Sequence, residues 1–340
     1  MKKDILSFSQ WVVVLVGIPA GLYLGRAFLA TFSIGIVLAL MLSPVMDWLI
    51  SKGFSKGWAV AASTFLLFLF LAVMVGILTY QVSLLADDWP QIQERAVQKI
   101  NQAQSFIQEK TGLSPTEQIN GLKKNLSNLQ SAGISAFGSF TTSLTNILLL
   151  FVYVVLLLSQ RNRFKQFFVE IAADDKKEDA YRTIFQVRSI ANLYVWGKLQ
   201  VMVALGIIYA VGFAIGGIQY SVLLGIIAAL FSFIPYVGNI VGGGLAAIFA
   251  VVSGEPSAFF VVIGVMTLAQ LIENYILTPF VLGDEVNLNP FFSIVSVVVF
   301  SMLWGVGGAI VAIPLTAIFK VIFEYSTRTR PAVHLMDIKE

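Results

Sequence analysis

Apolar positions run along this chain in long stretches, at residues 11–25, 28–50, 57–81, 137–158, 198–217, 221–252, 257–279 and 290–323. A helix rises 1.5 Å per residue and satisfies its own backbone, so about 20 apolar residues cross a hydrocarbon core of roughly 30 Å. The pattern predicts an all-α polytopic membrane protein with about eight membrane segments. The first stretch is short but has no small-residue cleavage signature, and it is expected to be a retained span.

Two polar segments separate these stretches. Residues 82–136 are rich in Gln, Asn and Ser but keep a helical stripe of Trp89, Ile92, Ala96, Ile100, Ala103 and Ile107. After a break at Gly112, Ser114-Pro115-Thr116-Glu117 carries the signature of a helix start, and Ile119, Leu122, Leu126 and Leu129 resume the stripe. This predicts an extramembrane amphipathic helical hairpin. Its stripes either pack on each other or on lipid, or join subunits into a homo-oligomer. Residues 159–197 place Phe164, Phe167, Phe168 and Ile171 ahead of the charged run 174–179, as interfacial helices around a solvated turn would. The expected organisation is three spans in 1–81, the outer hairpin in 82–136, a fourth span in 137–158 and interfacial helices in 159–197. A core in 198–325 and a tail in 326–340 complete it.

The stretches 221–252 and 290–323 exceed what one span needs, and both are interrupted. The first breaks at Pro235, followed by Gly238, Gly242, Gly243 and Gly244; the second breaks around Trp304-Gly305-Val306-Gly307-Gly308 and at Pro314. Either each is a long kinked helix, or each is a pair of half-helices folded into a re-entrant hairpin. Interrupted segments of this kind mark solute sites in transporters, because unwound backbone offers free N–H and C=O groups near the midplane. Close helix packing through glycine is the alternative use.

Composition agrees with a lipid environment: of 340 residues 57% are hydrophobic and only 12% charged. The net charge of +3 says little, but its distribution orients the chain. With the N-terminus in the cytoplasm, sixteen of the 22 basic residues lie on the cytoplasmic side, eight of them between Arg161 and Lys198. Both termini are therefore expected inside. The connectors 253–256 and 280–289 contain no Lys or Arg, so two crossings and two hairpins entering from opposite faces satisfy the rule equally.

A carboxylate at the centre of a membrane helix costs about 2.5–3.5 kcal/mol and needs a reason to be there. Glu273 is the clearest case. With Gln270 and Asn274 it forms one polar face at spacings of three and four. Glu273 could carry a proton or a monovalent cation while the amides hold a polar solute, or all three could tie helices together. Asp47, near the cytoplasmic end of the second span, is expected as a solvated helix end. The single histidine, His334, lies in the tail, and there is neither a P-loop nor a cysteine. A histidine-based catalytic triad, a metal site and intrinsic ATP-driven transport are thus not expected. Val281-Leu282-Gly283-Asp284 has no second membrane aspartate to form an acid dyad, so no hydrolase is expected. Neither a cofactor nor a nucleic-acid partner is expected.

Phe233-Ile234-Pro235-Tyr236-Val237-Gly238-Asn239, Gln270 to Asn274, Leu277-Thr278-Pro279, Gly283, Leu288, Pro290 and Trp304-Gly305-Val306-Gly307-Gly308-Ala309-Ile310 through Ala312-Ile313-Pro314-Leu315 resemble the autoinducer-2 exporter family. The resemblance is strongest over residues 190–325. It implies a bacterial inner-membrane permease that exports a small polar metabolite such as autoinducer-2, coupled to protons or cations. A sodium or potassium/proton antiporter is the alternative within that class, and a non-transporting membrane scaffold the alternative outside it. The binding residues expected are Pro235, Tyr236, Asn239, Gln270, Glu273, Asn274 and Trp304. Gly238, Gly242, Gly305, Gly307, Gly308 and Pro314 would permit the broken backbone. Membrane lipids, and other copies of the chain, are the remaining partners expected.

Overall fold

The computed structural model describes residues 16–111, 144–172, 174–234, 237–253, 256–282, 288–325 and 329–337. Every regular element among them is helical: α1 (Ile18–Leu24), α2 (Arg26–Ser51), α3 (Lys56–Asp87), α4 (Trp89–Thr111), α5 (Leu144–Ile171) and α6 (Lys177–Ile215) come first. They are followed by α7 (Ser221–Phe231), α8 (Gly244–Ser253), α9 (Pro256–Ile272), α10 (Thr278–Leu282), α11 (Pro290–Glu324) and α12 (Arg330–Met336). Among the described residues six helical stretches are long and apolar enough to cross a membrane: 26–51, 56–87, 147–171, 177–215, 257–282 and 290–324. The second arm of the expected outer hairpin, with Ile119, Leu122, Leu126 and Leu129, lies outside the described residues, as do the first five positions of the stretch 11–25.

Local chemistry sets several boundaries. Gly53 (φ 93°) ends α2 by turning left-handed, with its N–H on the Ile50 carbonyl and the Phe54 N–H on that of Leu49. Gly217 (φ 67°) ends α6 in the same way, its N–H on Ala214 and that of Ile218 on Phe213. Each is the glycine-closed helix end that leaves few carbonyls unpaired. At the start of α11, Asn289 caps the helix by accepting from the Phe291 N–H at 2.9 Å, with Pro290 in the first turn.

The chain divides into two compact units, each assembled from separated segments. Residues 69–145 and 199–280 make one of them. Its centre is the second half of α6, where Leu205, Tyr209 and Phe213 are fully buried. Small residues let neighbours close on that helix: a methyl at Gly212 would lie 2.7 Å from Val265 of α9, and one at Gly225 of α7 2.7 Å from the Ala210 nitrogen. Ile92 and Ala96 on the α4 stripe are buried, and α4 packs against α8. In this part of the stripe the cover is a neighbouring helix of the same unit.

Within this unit the segment 221–252 is folded in two. Tyr220 and Phe249, 29 positions apart, meet edge to face with ring centroids 5.7 Å apart. Further along, a Cβ on Gly242 would lie 2.3 Å from that of Ala228, and one on Gly238 2.5 Å from the Ser232 nitrogen. These pairs step inward from both ends, which only antiparallel arms produce. Gly238 has ordinary helical dihedrals (φ −54°, ψ −48°), so here glycine serves close approach. A five-residue π-helical turn, Asn239–Gly243, opens the returning arm.

The other unit comprises residues 1–68, 146–198 and 281–340. Its core joins Met46 of α2, Val154 and Leu158 of α5, and Val311 and Ala312 of α11. Tyr153 sits edge-on to Phe28 and Phe32, at 6.0 and 5.6 Å. Gly305 (φ 64°, ψ −146°) divides α11 into two helical arms with dihedrals that only glycine adopts readily. A methyl on Gly308 would fall 2.0 Å from the carbonyl oxygen of Phe300. In a straight helix eight residues span about 12 Å. The ends agree: the Asn289 N–H bonds the Met336 carbonyl at 2.7 Å, and the adjacent Asp337 pairs with Lys320. Residues 289 and 320 would be about 46 Å apart in one helix; α12 holds them at one end of a second hairpin. Pro314 does not break the chain: it lies buried inside the helical second arm, and the turn belongs to Gly305.

Glycine-mediated contact gives a direct test. Gly242→Leu should destabilise the fold by about 1–3 kcal/mol through overpacking. Gly244→Leu, where nothing lies within 4 Å of the new Cβ, should melt like the parent in detergent.

Candidate functional site

The polar side chains of the first hairpin, α6 and α9 come together inside one unit. Tyr209, fully buried in the otherwise apolar second half of α6, donates its hydroxyl to Oδ1 of Asn239 at 3.1 Å. Its ring stacks on Phe213 at 5.9 Å, which fixes the direction of the hydroxyl. Glu273, half-buried, lies within electrostatic reach of that same hydroxyl. Next to it Nε2 of Gln270 donates to Oδ1 of Asn274 at 2.8 Å, along the same helix face.

Asn239 and Glu273 occupy equivalent backbone positions. Each is the first residue of a five-residue π-helical turn, Asn239–Gly243 and Glu273–Leu277, set within an apolar helix. A π turn carries one residue more than an α turn, which widens the helix and leaves carbonyls poorly paired, and such turns recur at functional sites. Glycine at 242 and 243 lets the first turn lie against Ala228 and Met266 in spite of that width.

The remaining expected residues divide differently. Pro235 and Tyr236, at the tip of the first hairpin, lie outside the described residues. Trp304 belongs to the other unit, at the tip of the second hairpin, where its ring meets Phe300 edge-on at 5.3 Å and its N–H points to the Leu22 carbonyl at 3.4 Å. Gly307 beside it approaches Ile34, with a Cβ contact of 3.2 Å. Tyr209 was not among the expected residues. Its signal in the sequence is a lone hydroxyl in the middle of the apolar run 198–217.

A second polar cluster, in the unit that holds α2, corrects the expectation for Asp47. It is not a free helix end: Arg161 of α5 and Arg188 of α6 each pair with one of its carboxylate oxygens. The cause lies one turn earlier in α2. Pro44 has no N–H to give the Leu40 carbonyl, and the Ser43 hydroxyl fills the gap at 2.7 Å. Ser43 Oγ then accepts from Arg188 Nε at 2.9 Å, and the Trp196 indole donates to the Met41 carbonyl at 2.9 Å. With a permanent cation on each oxygen, Asp47 is a structural anion that clamps three helices.

Comparison with known proteins places this geometry in a group. The chain is 26% identical to the protein named "Putative transport protein MT0215" of Mycobacterium tuberculosis (strain CDC 1551 / Oshkosh), over 97% of this chain and 92% of the relative. It is also 26% identical to "Putative permease PerM" of Escherichia coli (strain K12), over 93% of each chain. To "Putative transport protein YueF" of Bacillus subtilis (strain 168) the identity is 26% over 75% of this chain and 71% of the relative. The family described as AI-2E family transporter matches residues 12–328, a range that takes in both hairpins and every site residue discussed above. This chain is therefore a multi-pass membrane protein that belongs to the AI-2E transporter family.

Proposed function

We propose that the chain is a secondary transporter that exports a small polar solute, with Glu273 carrying the coupling proton or cation. The observation behind this reading is the polar row of one unit, Tyr209–Asn239, Gln270–Asn274 and Glu273, with Asn239, Glu273 and Asn274 on two π turns amid apolar helices. Hydroxyl and amide groups match a neutral polyhydroxylated solute, which can exchange hydrogen bonds with them at little cost in desolvated charge. Autoinducer-2, the solute implied by the resemblance, has that character. Sodium or potassium in place of the solute would use the oxygens of Glu273 and the two amides, since hard cations take oxygen ligands.

The two hairpins supply the access. The ends of segment 221–252 meet beside Tyr220, whose hydroxyl donates to Asp88 at 2.6 Å where α3 gives way to α4. The distribution of basic residues puts that junction outside, so this hairpin opens to the exterior. The ends of 290–324 meet at Lys320 and the C-terminal α12, on the side richest in basic residues, so that hairpin opens to the cytoplasm. Each tip then points into the membrane while the ends of its arms stay on one face.

In proteoliposomes Glu273→Gln should abolish coupled flux. Tyr209→Phe, which loses one hydrogen bond worth about 1 kcal/mol, should reduce flux about fivefold without unfolding the protein. Flux of autoinducer-2 separates export from cation exchange, and a full rate in Glu273→Gln would remove Glu273 from the mechanism. In this cysteine-free chain, cysteines introduced at Gln219 and Ser257 should both react with an impermeant thiol reagent from outside, and one at Asn289 only from inside. Labelling of Gln219 and Ser257 positions from opposite faces would show that 221–252 crosses.

A further inference from the structure

The first half of α6, residues 177–198, leaves an open groove along one side, in the unit that also contains Asp47. A space of about 540 Å³ is lined by Phe185, Arg188, Ser189, Asn192, Leu193 and Trp196. Past Phe185 it continues as a second space of about 430 Å³ along Tyr181, Arg182 and Gln186. These residues recur every three to four positions, the period of one helix face.

Three features of this groove select its occupant. The first is depth: Arg188 reaches Ser43 and Asp47, one to two turns inside the end of α2 at Ser51, about 6–12 Å along the helix axis. That is the level of phospholipid headgroups, given Lys52 on the cytoplasmic side. The second is charge. Arg161 and Arg188 share the single carboxylate of Asp47, which leaves one positive charge uncompensated, and the Arg188 side chain is 38% exposed. The other acidic residues of this cytoplasmic region, Glu170 to Asp179, are gathered at its far turn, where Lys177 and Arg182 take up Asp174 and Glu178. The third is the apolar floor on either side of Arg188. Phe185 is 71% exposed, and Trp196 is held broadside by its bond to the Met41 carbonyl.

A cation at headgroup depth flanked by aromatic and aliphatic surface fits an amphiphile and not a free anion. We propose that this groove binds a phospholipid with an anionic headgroup from the cytoplasmic leaflet, its phosphate on the Arg188 guanidinium and an acyl chain along Leu193 and Trp196. The bound lipid would complete the charge balance around Asp47 and brace α6 against α2. This assignment is independent of what the protein transports.

The test uses the full chain, purified in detergent and stripped of lipid. Native mass spectrometry counts retained lipid, and melting temperature is followed with phosphatidylglycerol, phosphatidylcholine or soluble glycerol phosphate. Phosphatidylglycerol should be retained about fivefold over phosphatidylcholine, the ratio that one basic residue at an anionic surface gives at about 1 kcal/mol, and should raise the melting temperature. Glycerol phosphate should do neither. Leu193→Glu, which puts a negative charge in the groove without touching the Asp47 pairs, should bring the ratio to about one. Phe185→Ala, at an exposed position, should lower retention of both lipids while the lipid-free protein melts unchanged. Equal retention of the two lipids by the parent, an undiminished preference in Leu193→Glu, or stabilisation by glycerol phosphate equal to that by the lipid would each overturn the assignment.

Discussion

A helix that breaks inside hydrocarbon must hide the backbone groups it frees, because no water is there to take them. That constraint orders most of what is seen here. In the first hairpin the arms touch at Gly238 and Gly242, so close that a single methyl would collide. In the second, Gly308 lies against the carbonyl of Phe300 and only Gly305 carries the unusual dihedrals. Backbone freedom is used once and small size several times, which is why the glycines cluster after each break and not only at it.

The same constraint explains the cluster around Asp47. Proline at position 44 leaves one carbonyl of α2 without its helical donor, and Ser43 closes that gap from within the helix. Once the serine oxygen is fixed it becomes an acceptor for Arg188, and Asp47 one turn on gathers Arg188 and Arg161. A charge cluster this open to solvent stabilises little in net terms, because water screens much of the attraction. Its effect is to specify which helices meet and in what register.

The membrane class and its segments were readable in the sequence because apolar run length is a strong, local signal. Both interruptions were readable too, since Pro235 and Gly305 to Gly308 interrupt otherwise uniform runs. The sequence left open whether 221–252 crosses or returns, because loops without Lys or Arg carry no orienting charge. Contacts between distant positions, Tyr220 with Phe249 around this segment and Asn289 with Met336 and Lys320 with Asp337 around 290–323, show that the arms of each segment run antiparallel. Tyr209 is hidden for a related reason: one hydroxyl in the apolar run 198–217 gains meaning only when Asn239, 30 positions later, is placed beside it. The same holds for Asp47, whose partners come from 114 and 141 positions away.

Two membrane carboxylates thus have opposite surroundings, and the difference bears on function. Asp47 is held by two guanidiniums that stay charged at any physiological pH, so binding a proton there would break both pairs at once. Glu273 stands on a widened turn beside the Tyr209 phenol and the Gln270–Asn274 amide pair. A coupling residue needs two states of comparable free energy, because a ligand can shift an equilibrium only by its differential affinity for the two. Asp47 is tied to two permanent cations on two other helices, whereas Glu273 is set beside neutral polar groups, next to the hairpin that bears Asn239.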